Sequence, residues 1–155
     1  MIMRTVAIIA ALSTALAASA GDEASRYVVG ARTGALSALP FSDAVWAGDT
    51  LYVSGNIGLD AKTGQAPADA ALEAKLVMDA VKGTVERAGL TMDDLVSVTI
   101  YCTDLGLYDT FNTVYRSYFH GHFPARAFIG VASILRSGHF EVQAIAVGKP
   151  APPKP

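Results

Sequence analysis

Hydrophobic spacing changes period several times along the chain, and each change marks an element. Arg26-Tyr27-Val28-Val29 reads as a short first strand. The runs Phe41–Trp46 and Thr50–Gly55 flank Ala47-Gly48-Asp49, a hairpin signal because the turn residues tolerate a reversed backbone between two β-prone runs. From Ala68 to Ala88 the apolar residues keep the spacing of one helix face, through Leu72, Leu76, Val77, Val81 and Val85, and Gly89 supplies the stop. Thr91-Met92-Asp93-Asp94 has capping-box spacing ahead of a strand at Leu95–Thr103. In that strand Val96, Val98, Ile100 and Cys102 share one face, while Ser97, Thr99, Tyr101 and Thr103 share the other. A second helix, Leu107–Phe119, stacks Tyr108, Phe111, Tyr115 and Phe119 into one stripe, with Asn112 a polar intruder in it. Strands at Ala125–Ser133 and His139–Val147 close the pattern around the turn Arg136-Ser137-Gly138.

The order is β, β, β, α, β, α, β, β. Two helices against about six strands are most economically arranged as an α+β fold, one sheet with both helices on a single face. The other face carries Thr and Val side chains too apolar in sum to stay wet, so it is expected to pack against further copies of the chain.

The two ends stand apart from this pattern. Residues 1–20 combine Arg4, an apolar stretch from Thr5 to about Ala17 and the small-x-small site Ala18-Ser19-Ala20, the form of a cleavable secretory signal. Its apolar stretch is shorter than the roughly 20 residues that a spanning helix needs. No cysteine stands directly after it, which closes the lipoprotein route. The expected organisation is a signal peptide at 1–20, a single domain at 21–148 and a proline-rich tail at 149–155, with the mature protein secreted or periplasmic and free of the membrane. A 52% apolar content with 17% charged residues supports a packed core rather than disorder. Beyond residue 20 there are 11 basic and 14 acidic side chains, which supply no basic footprint for nucleic acid. One cysteine, Cys102, excludes an internal disulfide framework and a multi-cysteine zinc site.

Candidate chemistry concentrates in the second half. Arg126 lies between Pro124-Ala125 and an apolar strand. Its planar, permanently charged guanidinium suits a bidentate grip on a carboxylate, the alternative being a structural ion pair. Glu141 interrupts a strand that otherwise reads as core, so its carboxylate requires a partner. It either handles a water or neutralises Arg126. Asn112 binds a neighbouring loop or a ligand, and Ser54 beside Gly55 closes a turn or faces a cleft. No Gly-x-Ser-x-Gly elbow surrounds Ser54. His120-Gly121-His122 offers two imidazoles without a third ligand in view, so no metal is expected. Cys102 reads as a small buried hydrophobe.

Several of these residues belong to a larger pattern: Val53-Ser54-Gly55-Asn56-Ile57, Gly64 in a Lys-Thr-Gly turn, Asn112-x-x-Tyr115-x-x-x-Phe119, Pro124-Ala125-Arg126 and Glu141-x-Gln143-Ala144-Ile145-Ala146. In this order and spacing, over roughly Leu39 to Val147, the chain resembles the Rid/YjgF family of reactive-intermediate imine deaminases. The resemblance implies a chorismate-mutase-like fold, a homotrimer with its sheets facing inward and clefts between subunits. It also implies cofactor-free hydrolysis of 2-imino and enamine acids to 2-oxo acids and ammonia. Carried over residue by residue, Arg126 is the carboxylate anchor and Glu141 the carboxylate near the attacking water, with Ser54 and Asn112 as polar cleft residues. Phe41, Asn56, Ala127 and Phe128 fall at further substrate-binding positions. The chain departs from the family where Phe41 replaces a frequent tyrosine, Asn56 a glutamine, Phe128 a cysteine and Gly130 a glutamate, and where Ser133-Ile134-Leu135 replaces Arg-Leu-Pro. A second reading with the same fold is a non-catalytic trimer that binds small carboxylates or partner proteins. RNA cleavage, attached to some relatives, is disfavoured by the acidic balance.

Overall fold

The computed structural model describes residues 26–28, 30 and 39–149. The expected signal segment and the tail beyond Lys149 lie outside the described residues. Six strands form one sheet in the order β1-β2-β3-β6-β4-β5, with β1 at Tyr27–Val28, β2 at Ala44–Ala47, β3 at Thr50–Ile57, β4 at Leu95–Cys102, β5 at Ala125–Gly130 and β6 at Phe140–Val147. Only β4 and β5 run parallel, and β5 is an edge strand. Two helices, α1 at Ala70–Arg87 and α2 at Tyr108–Arg116, complete the expected element order.

Helix α1 starts where Asp69 accepts hydrogen bonds from the amides of Ala71 and Leu72, worth about 1 kcal/mol for such a cap. It ends before Gly89, whose φ of 86° is the left-handed conformation that glycine enters without a Cβ penalty. Between these ends Val77, Met78, Val81 and Val85 are fully buried against β3 and β6. Burial of such side chains contributes about 1.5–3 kcal/mol each. Helix α2 packs on α1 and continues the core through Phe111, which meets Phe140 at 4.8 Å between ring centroids.

Three expectations are corrected. The second helix stops at Arg116, since Ser117, Tyr118 and Phe119 tighten to three-residue hydrogen bonds back to Val114, Tyr115 and Arg116; the aromatic stripe survives, because Phe119 still reaches Tyr115 at 4.8 Å. Strand β5 ends at Gly130 rather than Ser133. Alternation puts Val96 with the core face of β4, but an irregularity in pairing with β6 between Leu95 and Ser97 turns it outward to 46% exposure. The remaining alternation holds, with Val98, Ile100 and Cys102 buried. On the face away from the helices, Tyr52, Ile129 and Val147 stay substantially exposed.

Candidate active site

A cleft of about 230 Å³ opens between α2 and the edge strand β5, lined by Tyr108, Asn112, Tyr115, Arg116, Phe123 and Arg126. Arg126 stands opposite the buried Val98 in the parallel pairing, so its side chain rises on the helix side of the sheet. There it donates from Nη1 to Asn112 Oδ1 at 2.6 Å and from Nη2 to the Tyr108 hydroxyl oxygen at 3.1 Å. Tyr108 and Asn112 are one helical turn apart on α2, which brings both side chains to the same row above β5. Three rings surround the cation, with the guanidinium carbon 4.9 Å from the Tyr115 centroid, 5.5 Å from Tyr108 and 5.9 Å from Phe128. Phe128, two residues along β5, holds Tyr108 edge-on at 5.1 Å.

Every one of these partners is neutral. A guanidinium carries five N–H donors, and two are spent here, so three remain with the full positive charge. Aromatic faces stabilise that charge without cancelling it. Among the described residues Arg126 forms no ion pair with a carboxylate, and Asn112 binds this arginine rather than a neighbouring loop. Tyr115 is 3% exposed and its hydroxyl has no hydrogen-bond partner among the described residues. Burial pushes its pKa up to about 12, partly offset by the Arg126 charge, so it stands in the cleft as a neutral hydroxyl.

Glu141 does not join this cluster. Glu141 does not neutralise Arg126 within the protomer, because β4 lies between β5 and β6. Glu141 also pairs with Tyr101, which alternates with the buried Ile100 and Cys102, so it faces the side of the sheet away from the helices. Its neighbour is the irregular middle of β3, where the pairing with β6 shifts between Val53 and Asn56. At Gly55 an added Cβ would lie 2.1 Å from Glu141 Oε1, so the missing side chain makes the room that the carboxylate occupies. Ser54 Oγ donates to the Ser42 carbonyl at 2.6 Å and Asn56 Nδ2 donates to the Ser54 carbonyl at 2.8 Å, which pins this segment to the approach of β2. Phe41, just before Ser42, is half-exposed.

The expected site residues thus divide into two groups. Arg126, Asn112 and Phe128 meet on the helix side, Ser54, Asn56 and Glu141 gather around β3 and β6, and Ala127 is exposed on β5 facing away from Arg126. The hydrophobic pattern assigned Tyr108 to the core, yet it is 44% exposed and accepts from Arg126; the i, i+4 spacing of Tyr108, Asn112 and Arg116 was the available signal. Sequence reasoning also passed over Glu73, fully buried in the first turn of α1. Its Oε1 accepts from the amides of His139 and Phe140 at 2.6 and 2.9 Å, and its Oε2 lies 2.5 Å from His139 Nδ1. His120 and His122 are exposed, and no group of three metal-ligating side chains occurs among the described residues. Cys102 is buried with its thiol pKa raised by desolvation, as a structural residue should be.

Residues 33–148 match the family described as Endoribonuclease L-PSP. The chain belongs to this family, the Rid/YjgF family. Among Rid/YjgF relatives, the 2-iminobutanoate/2-iminopropanoate deaminase of Escherichia coli (strain K12) is 39% identical over 111 residues, covering 70% of this chain and 87% of the relative. The Bos taurus protein of the same name is 38% identical over 112 residues, covering 72% and 82%. Among solved structures, the E. coli YjgF gene product superposes with a TM-score of 0.67 at 33% identity, covering 79% of this chain and 94% of that one. E. coli TdcF with bound serine gives 0.68 at 30%, covering 81% and 95%. The six-stranded mixed sheet with two helices is the fold of these Rid/YjgF neighbours.

Proposed function

We propose that this protein is a hydrolytic deaminase of 2-imino acids, converting an imine and water to a 2-oxo acid and ammonia. The observation that carries this reading is Arg126: a partly buried guanidinium in a cleft, fixed by two neutral acceptors and three rings, with no carboxylate partner among the described residues. The relatives named as iminobutanoate/iminopropanoate deaminases support the reaction class.

The chemistry asks for little else. A protonated imine carbon is already electrophilic, so a fixed substrate, a placed water and a proton acceptor suffice. Arg126 grips the substrate carboxylate through its unspent N–H groups and thereby fixes the adjoining C=N bond. Water adds to the carbon while a carboxylate takes its proton, giving a carbinolamine. The carboxylate returns that proton to the nitrogen, the carbon–nitrogen bond breaks as the hydroxyl oxygen becomes the carbonyl and passes its own proton to the carboxylate, and ammonia departs with that last proton as ammonium.

Glu141 is the carboxylate for that step, supplied by a second copy of the chain. Within one protomer the two residues face opposite sides of the sheet. The exposed Tyr52, Ile129 and Val147 give the Glu141 face the apolar character of a subunit contact. The assembly we propose is a homotrimer in which the cleft of one protomer closes against Ser54, Gly55 and Glu141 of the partner subunit. The signal-like residues 1–20 support a location outside the cytoplasm, where amino-acid-oxidising enzymes would supply the imine; fractionation and the N-terminal mass of the mature chain check that location.

The test uses imines generated in situ by an amino-acid oxidase, with their loss followed by semicarbazide trapping. Wild type should accelerate imine loss, and Arg126→Ala and Glu141→Gln should each be inactive. Mixed and reassembled, the two variants should regain activity, because some interfaces then hold an intact Arg126 and an intact Glu141. Wild-type activity no higher than that of Arg126→Ala defeats the deaminase reading, and the absence of complementation defeats the shared site.

A further inference from the structure

The cleft holds a second guanidinium. Arg116 follows Tyr108 and Asn112 at the next i+4 position of α2, so hydroxyl, amide and guanidinium form one row along the cleft. The first two members bind Arg126. The third makes no hydrogen bond or ion pair with any described residue, and its guanidinium carbon lies 5.9 Å from the Phe123 ring, which is itself part of the cleft wall. Two like charges lining one small cleft repel each other, in a chain whose formal net charge is −2. That arrangement is stabilised when an anion bridges them.

From this we infer that the cleft takes a dicarboxylate, the 2-imino derivative of an acidic amino acid, with Arg126 on the carboxylate beside the C=N bond and Arg116 on the distal one. The inference rests on the deaminase reading and names its substrate class. Charge matching supports it: Arg126 and Glu141 of the partner subunit together balance a monocarboxylic iminium acid, which is itself neutral. Arg116 adds one positive charge, and a second carboxylate on the substrate is its complement. Arg116 lies against the Phe123 ring while Arg126 is held by Asn112, so the two guanidinium groups have different neighbours in the cleft and each is offered its own carboxylate.

The test is binding of two product-like acids, 2-oxoglutarate and 2-oxobutanoate, to the assembled protein by calorimetry, alongside turnover of the corresponding imines. Wild type should bind 2-oxoglutarate more tightly. Arg116→Ala should reduce that preference about 10- to 100-fold, the range for one lost charge-assisted hydrogen bond, and Arg116→Lys should recover part of it. Arg116 is exposed, so the variants should keep wild-type melting temperatures, which are recorded as a control. Equal affinity of wild type for the two acids overturns the inference. So does an Arg116→Ala variant that weakens both acids alike, or one that merely lowers the oligomeric state, which would make Arg116 a subunit contact. Arg126-dependent turnover of 2-iminobutanoate without any Arg116-dependent preference leaves the deaminase reading standing and removes this one. An Arg116-dependent preference without turnover of either imine does the reverse.

Discussion

Glu73 and Arg126 are both drawn out of bulk water on the helix side of the sheet, and the fold treats them in opposite ways. Glu73 is fully buried and saturated: two amides and an imidazole meet its two oxygens and fasten the start of β6 to α1. Arg126 is only partly buried, touches neutral groups and keeps three donors unspent. A structural charge is recognised by how completely its bonding capacity is consumed, and a functional one by the capacity left over. Burial alone would have ranked Glu73 first.

Substitutions can break or sharpen that contrast. Glu73→Ala should have the largest effect, on folding: two amides at the start of β6 lose their acceptor, and each buried donor left unsatisfied costs about 1–3 kcal/mol. Chemical denaturation should show the drop while the folded fraction keeps its affinity for 2-oxo acids. Arg126→Lys should do the opposite, leaving the denaturation midpoint near wild type and lowering kcat/KM about 10- to 100-fold, since a lysine keeps the charge and loses the two-pronged grip. If instead Arg126→Lys lowers stability as much as Glu73→Ala, the distinction between the two charges is wrong.

Gly55→Ala comes next. The added methyl displaces the Glu141 carboxylate rather than any backbone atom, so turnover should fall about 10-fold with little change in substrate affinity. Steady-state kinetics separating kcat from KM decide it. The smallest effect belongs to Tyr115. Its pKa is raised from 10.0 to about 12, so its contribution to stability is fully present below pH 10 and is lost as pH rises toward 12. Tyrosinate absorbance during alkaline titration should show one late-ionising tyrosine missing from Tyr115→Phe. That variant removes a hydroxyl already without a partner, so it should be neutral or slightly stabilising at neutral pH.

Much of this was legible in the sequence because local rules agreed with the global fold. The i, i+4 pattern of α1, its glycine stop, the capping box at Thr91 and the alternation in β4 each have a short-range cause. Arg126 and Asn112 were visible as polar residues at apolar positions. What stayed hidden depends on strand order and on long-range partners. No local rule contains the placement of β4 between β5 and β6, so neutralisation of Arg126 by Glu141 stayed open as a reading until the sheet order separated them. Val96 left the core through a pairing irregularity that no alternation rule contains. Glu73 is isolated in sequence from its partners, 66 residues away at His139, and looked like an ordinary acidic residue of a first helical turn.

The back-to-back placement of the two polar groups has a kinetic corollary. Under the proposed assembly a solitary copy owns an anchor without a base on one side and a base without an anchor on the other. Progressive dilution should therefore extinguish turnover sooner than it removes folded protein, giving specific activity a threshold in concentration. An inhibitor lodged at the join would act by keeping copies apart, with no need to resemble an imine.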